Sequence, residues 1–244
     1  MTEFKLRASL ETRILTKERI SVLKATLLKR VVSFILGEKS NIPATSEHAR
    51  EIMGNNLFGI EEAKKFLNIN PTKEQLAVLS KLPFSETTLR VYRKTHILVA
   101  VFPLSIIEIR GMVSKNLFLY QIGAWYDDKT FANERGQTSW YLISKLPHKN
   151  SLSKSWIEQQ KLLGKNEEVP SARVVTYATI AHYLSTKERI LRNVYVRCKD
   201  FDSKGCHVSV GNCDPDGFHF EYFSSRSCSA FLGLTTTIKL ADYK

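Results

Sequence analysis

At 244 residues, 43% apolar and 25% charged, the chain has the length and composition of one large folded domain, or of a domain with an appendage, and not of a disordered segment. No apolar run approaches the roughly 18 residues needed to cross a bilayer, and nothing near the start reads as a secretory leader, so a soluble, cytoplasmic protein without a membrane span is expected. The net charge of +12 keeps an anionic partner in view.

The charge is uneven. Residues 1–52 carry ten basic and six acidic side chains, residues 53–197 carry 21 and 12, and residues 198–244 carry five and six. A nucleic-acid partner would therefore use the basic surface of residues 1–197. Within 1–52, Leu15, Ile20, Leu23, Leu27, Leu28, Val31 and Ile35 approximate helical spacing, which predicts a basic helical N-terminal extension. Gly37 ends that run, and residues 40–46 read as a linker. The main folded body, 53–244, is expected to start at Met53.

Short helices are predicted next. One runs from Gly59 to Leu67. A second follows the Asn70-Pro71 start and reaches about Lys81, where Pro83 stops it. Ser85 caps a third, to about Arg93. His96 to Phe102 is a near-continuous run of β-formers closed by Pro103, the pattern of a buried strand. Asp127 to Glu134 is predicted helical and Ser139 to Ile143 extended. Ser155-x-x-Glu158 has capping-box spacing and opens a helix to Leu163; a longer helix occupies Ser171 to Leu184, with Ala172, Val175, Thr179 and Tyr183 on one face. The aromatic set Phe118, Tyr120, Trp125, Tyr126, Phe131, Trp140, Tyr141 and Trp156 lacks interleaved Lys or Arg, so it reads as core and not as a base-stacking platform.

From Val194 the period changes to two. Val194, Val196, Val208, Val210, Phe218 and Phe220 recur between the turns Asp202-Ser203-Lys204-Gly205 and Asp214-Pro215-Asp216-Gly217. At least three short strands are expected, packed on the helix before them. The fold class is α+β: an N-terminal helical segment, a helical middle with a few strands, and a β-rich module at about 194–240. Alternation sets Ser209 opposite Val208 and Val210, and His219 opposite Phe218 and Phe220. The polar residues Ser209, Asn212, His219, Glu221, Ser225 and Ser227 are therefore expected to form one exposed face.

Catalytic and cofactor chemistry is sparse. There is no phosphate-cradling glycine loop, no G-x-S-x-G and no histidine pair at helical metal-binding spacing. Cys198, Cys206, Cys213 and Cys228 contain no C-x-x-C pair, and the aspartates at 200, 202, 214 and 216 lack a twelve-residue calcium loop with its terminal glutamate. No cofactor, metal or disulfide is expected, and no enzyme.

Three stretches carry a resemblance: Val194 to Gly205 with Val208 to Gly217 and Leu232-Gly233-Leu234; Phe58-Gly59-Ile60-Glu61-Glu62-Ala63; and Val99-Ala100-Val101-Phe102-Pro103-Leu104-Ser105-Ile106. Over roughly 53–240 they resemble a group of bacterial proteins whose C-terminal ends are similar to the variable proteins of diversity-generating retroelements. That resemblance implies a C-type-lectin-like fold, related to the formylglycine-generating enzymes, whose surface positions vary on a fixed scaffold. It implies a ligand-binding role for Cys206, Ser209, Asn212, Cys213, His219, Glu221, Ser225 and Ser227, with an unidentified protein or small ligand as partner. The tryptophan and arginine usual in the last loop would fall near Ser224 and Cys228 and are absent; Phe223 and Arg226 stand nearest.

Overall fold

The computed structural model describes residues 42–239. The helix expected within residues 15–35 lies outside them. The chain divides between Ile42 and Pro43, ten residues before the break expected at Met53. The reason is a helix, α1 (Ser46–Met53), which begins where the linker expected at residues 40–46 ends. Thr45 caps it, and Ala49, Ile52 and Met53 are buried. Pro43 bridges Ser85, and the Ala44 amide donates to the Phe84 carbonyl at 2.8 Å, which ties this segment to the body.

Strand β1 (Leu57–Phe58) precedes α2 (Ile60–Leu67), α3 (Lys73–Leu79) and α4 (Glu86–Tyr92). α3 and α4 begin where a side chain satisfies a free amide of the first turn, and α2 where Glu62 Oε2 accepts from the Gly59 amide at 2.8 Å. Ser85 caps α4 as expected. α3 starts two residues after the expected proline signal, because Thr72 and Gln75 form a reciprocal capping box. All six residues of β2 (His96–Val101) are buried, so the apolar run is a central strand. Helix α5 (Ile106–Met112) was not expected, although Ser105 and Glu108 make another capping box.

The helix expected over 127–134 shrinks to α6 (Thr130–Asn133). Asp127 is engaged elsewhere: its carboxylate accepts from the amides of Gly123 and Ala124 and pairs with buried Arg110 at 2.8 Å. β3 (Ser139–Ser144) pairs antiparallel with β2 along its full length. α7 (Trp156–Gln160) is capped by Ser155 and Glu158 and stops short of Leu163. β4 (Glu167–Glu168) leads to α8 (Ala172–Thr186).

α8 is the spine. A single apolar face was expected, yet every residue from Ala172 to His182 is buried. It packs against β1 and β2 on one side and against β5 (Tyr195–Phe201) and β6 (His207–Asp214) on the other. A helix buried all round must satisfy its polar side chains internally. Thr176 does so by donating to the Ala172 carbonyl at 2.7 Å.

Two sheets flank this helix. One has the order β1-β2-β3-β9-β4, the other β7-β6-β5-β8, with β7 (Gly217–Phe223), β8 (Leu232–Leu234) and β9 (Thr237–Ile238). The expected strands of 194–238 are therefore present, and of these β5 and β6 pack on α8. The stretch is not a separate layer, because only the buried Thr235 and Thr236 separate β8 in the second sheet from β9 in the first. The aromatic residues of the middle are largely core, as expected: Trp140 donates to the Leu79 carbonyl at 2.9 Å, and Trp125 to the Phe220 carbonyl at 3.0 Å.

Burial also sets the acid response. His96 is held neutral, its pKa lowered to about 4 chiefly by desolvation; His182 and His207 are lowered for the same reason. Between the unfolded histidine value near 6.5 and the folded value the unfolded chain binds more protons, so stability is present above pH about 6.5 and is lost as pH falls toward about 4. Urea denaturation across that window should show a falling midpoint in the wild type. A smaller fall is expected in His96→Gln, which has no proton to take up at that position.

Candidate functional site

Cross-strand register sorts the second sheet into two faces. Val196, Cys198, Val208, Val210, Phe218 and Phe220 are buried in the core. The other face carries three rows, Tyr195–Gly211–His219, Arg197–Ser209–Glu221 and Phe201–His207–Phe223. The side assignment expected from alternation is thus correct, but the polar side is not uniformly open. The segment from Ser151 to Gln160 and the loop 224–231 fold over part of it.

Arg197 makes that cover. It has no solvent exposure, and its pKa is lowered by desolvation. Its Nη1 donates to the Lys154 carbonyl (3.2 Å) and to Gln159 Oε1 (2.8 Å). Its Nη2 donates to the carbonyls of Ser224 (3.2 Å) and Ser227 (2.6 Å). The amides of Ser153 and Trp156 donate to the Ser229 and Ser225 carbonyls at 2.8 and 2.9 Å. The Trp156 ring lies 3.9 Å from the His207 ring, centroid to centroid.

The expected site residues consequently separate. Ser209, expected outward, is fully buried beneath this cover, and Cys213 is buried because the strand is bulged between Gly211 and Asp214. Cys206 sits at the far hairpin turn, where its amide donates to Asp202 Oδ1 at 2.7 Å. It is about 20 Å along the strand from Asn212 at the usual rise per residue. Ser225 and Ser227 are half-buried, and their carbonyls serve the cover. Asn212, His219 and Glu221 remain together near the open side. The aspartates near the turns act as caps: Asp202 Oδ1 accepts from Lys204 and Cys206, and Asp214 Oδ1 from Asp216.

What lies open is an aromatic and polar patch. Tyr195, Phe223 and Phe231 form a triangle of rings with centroids 5.9, 6.3 and 6.4 Å apart, and Phe231 is 49% exposed. Beside it, the Tyr195 hydroxyl lies 3.5 Å from His219 Nδ1, and His219 Nε2 lies 3.7 Å from Asp214 Oδ1. Asn212 Nδ2 donates to Asp214 Oδ2 at 3.4 Å. Burial, with the negative charges of Glu221 and Asp214 nearby, pushes Tyr195 up to about 12, so it keeps its proton and stays a hydrogen-bond donor. Sequence reasoning missed these rings. The signal was present, because Tyr195 and Phe223 fall on the same side of the alternation as His219 and Glu221.

The buried position separates Ser209 from a freely changeable surface residue. Its hydroxyl has no hydrogen-bond partner among the described residues, so Ser209→Ala should alter stability by about 0.5 kcal/mol or less. Ser209→Leu should lose about 1–3 kcal/mol by overpacking, while Glu221→Leu, at an exposed position, should leave the thermal midpoint near wild type. Comparison with protein-family models, curated proteins and solved structures found no match for the chain.

Proposed function

We propose that the chain is a non-enzymatic binding protein that engages another protein through the open part of the second sheet's outer face. The observation that carries this reading is the half-exposed triangle of Tyr195, Phe223 and Phe231 bordered by His219, Glu221 and Asn212. Rings of low conformational entropy beside satisfiable polar groups are the composition of interface hot spots. The rings are set on strands and on a tethered loop, so little ordering free energy is lost on association. The variable-surface scaffold suggested by the C-terminal resemblance is compatible with such a use, with His219, Glu221 and Asn212 as the positions open to change.

Two features argue against nucleophilic chemistry at Cys198 and Cys213. The Cys198 and Cys213 thiols are buried, and desolvation pushes both up, away from the reactive thiolate. A nucleic-acid role is the second reading. Its observation is a cavity of about 320 Å³ rimmed by Lys94, Lys145 and Lys149.

The test is a photo-crosslinking residue placed at Phe231, with a control at Val91, which is 68% exposed on α4. A discrete protein adduct is expected at 231 alone, and it should persist at raised salt. Tyr195→Ala should weaken the captured complex by about 2 kcal/mol, roughly thirtyfold. Absence of an adduct at 231 contradicts the reading. Capture of nucleic acid that disappears with salt supports the second one instead.

A further inference from the structure

Among the described residues three arginines are almost completely buried, and they are not equivalent. Arg110 pairs with Asp127, and Arg197 serves four acceptors. Arg173, 7% exposed in the first turn of α8, has no carboxylate within ion-pair distance among the described residues. Among the described residues only its Nη1 finds partners, donating to the carbonyls of Phe102 (3.1 Å) and Leu104 (3.5 Å). A guanidinium has five N–H donors, so at least three are uncommitted. Burying a cation without an anionic partner is costly, and the cost shows as a pKa lowered by desolvation.

The uncommitted side of Arg173 borders a cavity of about 250 Å³ between α6, β3, α8 and β5. Gly136, at φ +62°, leaves room for the guanidinium, which any side chain there would strike. Apart from Phe131, the remaining lining is polar and carries both signs of charge. Lys199 is a second cation and Tyr141 a neutral hydroxyl. Glu134 stands at the exposed rim, and Asp200, half-buried, accepts from the Ala172 amide through Oδ2 at 2.5 Å. The volume falls below that of pockets for drug-sized ligands. A small cavity lined by both cationic and anionic side chains matches a zwitterion.

We infer that this cavity binds a free α-amino acid, with the ligand carboxylate on the Arg173 fork and its ammonium between Glu134 and Asp200. A planar fork suits a carboxylate bidentately, which a lysine does not reproduce. Burial raises the Asp200 pKa, and an incoming ammonium would favour the ionised form. The site is distinct from the outer aromatic face and does not depend on it.

Isothermal titration of the full chain with the standard amino acids, and with acetate and ethylamine as the two halves of the zwitterion, tests this. At least one amino acid should bind at millimolar concentration or below, with acetate and ethylamine weaker by about tenfold or more. Arg173→Lys should lose about tenfold or more; should it fail to fold, Glu134→Gln at the rim tests the same site and should also lose affinity. Phe231→Ala should leave amino-acid binding unchanged. No binding of any amino acid, acetate binding as tightly as the amino acid, or unchanged affinity in Glu134→Gln each overturns the inference.

Discussion

A guanidinium with no access to water lies at the centre of the C-terminal half, and much of the surrounding structure follows from accommodating it. Removing such a charge from water costs several kcal/mol unless its donors are met. Arg197 meets most of that demand without a carboxylate: Nη1 and Nη2 donate to three backbone carbonyls and the Gln159 amide oxygen, while Nε has no partner among the described residues. Those acceptors come from two separate segments, the one leading into α7 and the loop after β7. Satisfying one side chain therefore fixes both segments on the sheet. Gln159, itself fully buried, extends the network by donating to the carbonyls of Ser151 and Leu232. The half-open outer face is the consequence: covered where Arg197 and Ser209 lie, exposed where Tyr195, Phe223 and Phe231 meet.

Beneath that face, the two sheets share one core. α8 is buried along Ala172 to His182 and contacts strands of both sheets, while β8 and β9 pass from one sheet to the other across two buried threonines. A β-rich C-terminal region in this arrangement does not have an independent interior. The aromatic side chains Phe118, Trp125 and Tyr126 extend the same core to Phe218, Phe220 and Tyr222 of β7. Rigidity of the candidate face thus derives from the whole body, which is what a binding surface with low ordering cost requires. The cavity at Arg173 lies at the same junction, between β3 of one sheet and β5 of the other.

Local chemistry was the legible part of the sequence. Ser85, Ser155 and the strand run at His96 marked their elements because capping and apolar continuity act over a few residues. The α+β class and the β-rich C-terminal stretch followed from the change of period at Val194. What failed depended on distant partners. Asp127 reads as a helix start until Arg110 and the Gly123 and Ala124 amides compete for it. Ser209 reads as surface until the residues near Trp156 cover it, and period-two alternation distinguishes two faces of a sheet without saying which faces are wet. The Tyr195–Phe223–Phe231 triangle brings together side chains from different rows and a loop, so only its membership of the polar side was visible beforehand. Arg173 and Arg197 look like any basic residues in a basic chain; their burial belongs to the fold alone.

Presentation of the candidate binding face depends on the Arg197 network. Hydrogen exchange in Arg197→Met measures this directly, since methionine fills space without offering donors. Amides of the loop 224–231 should exchange at least about tenfold faster than in the wild type while those of α8 keep their protection. Unchanged exchange in the loop, or equal loss of protection in the loop and α8, would contradict it.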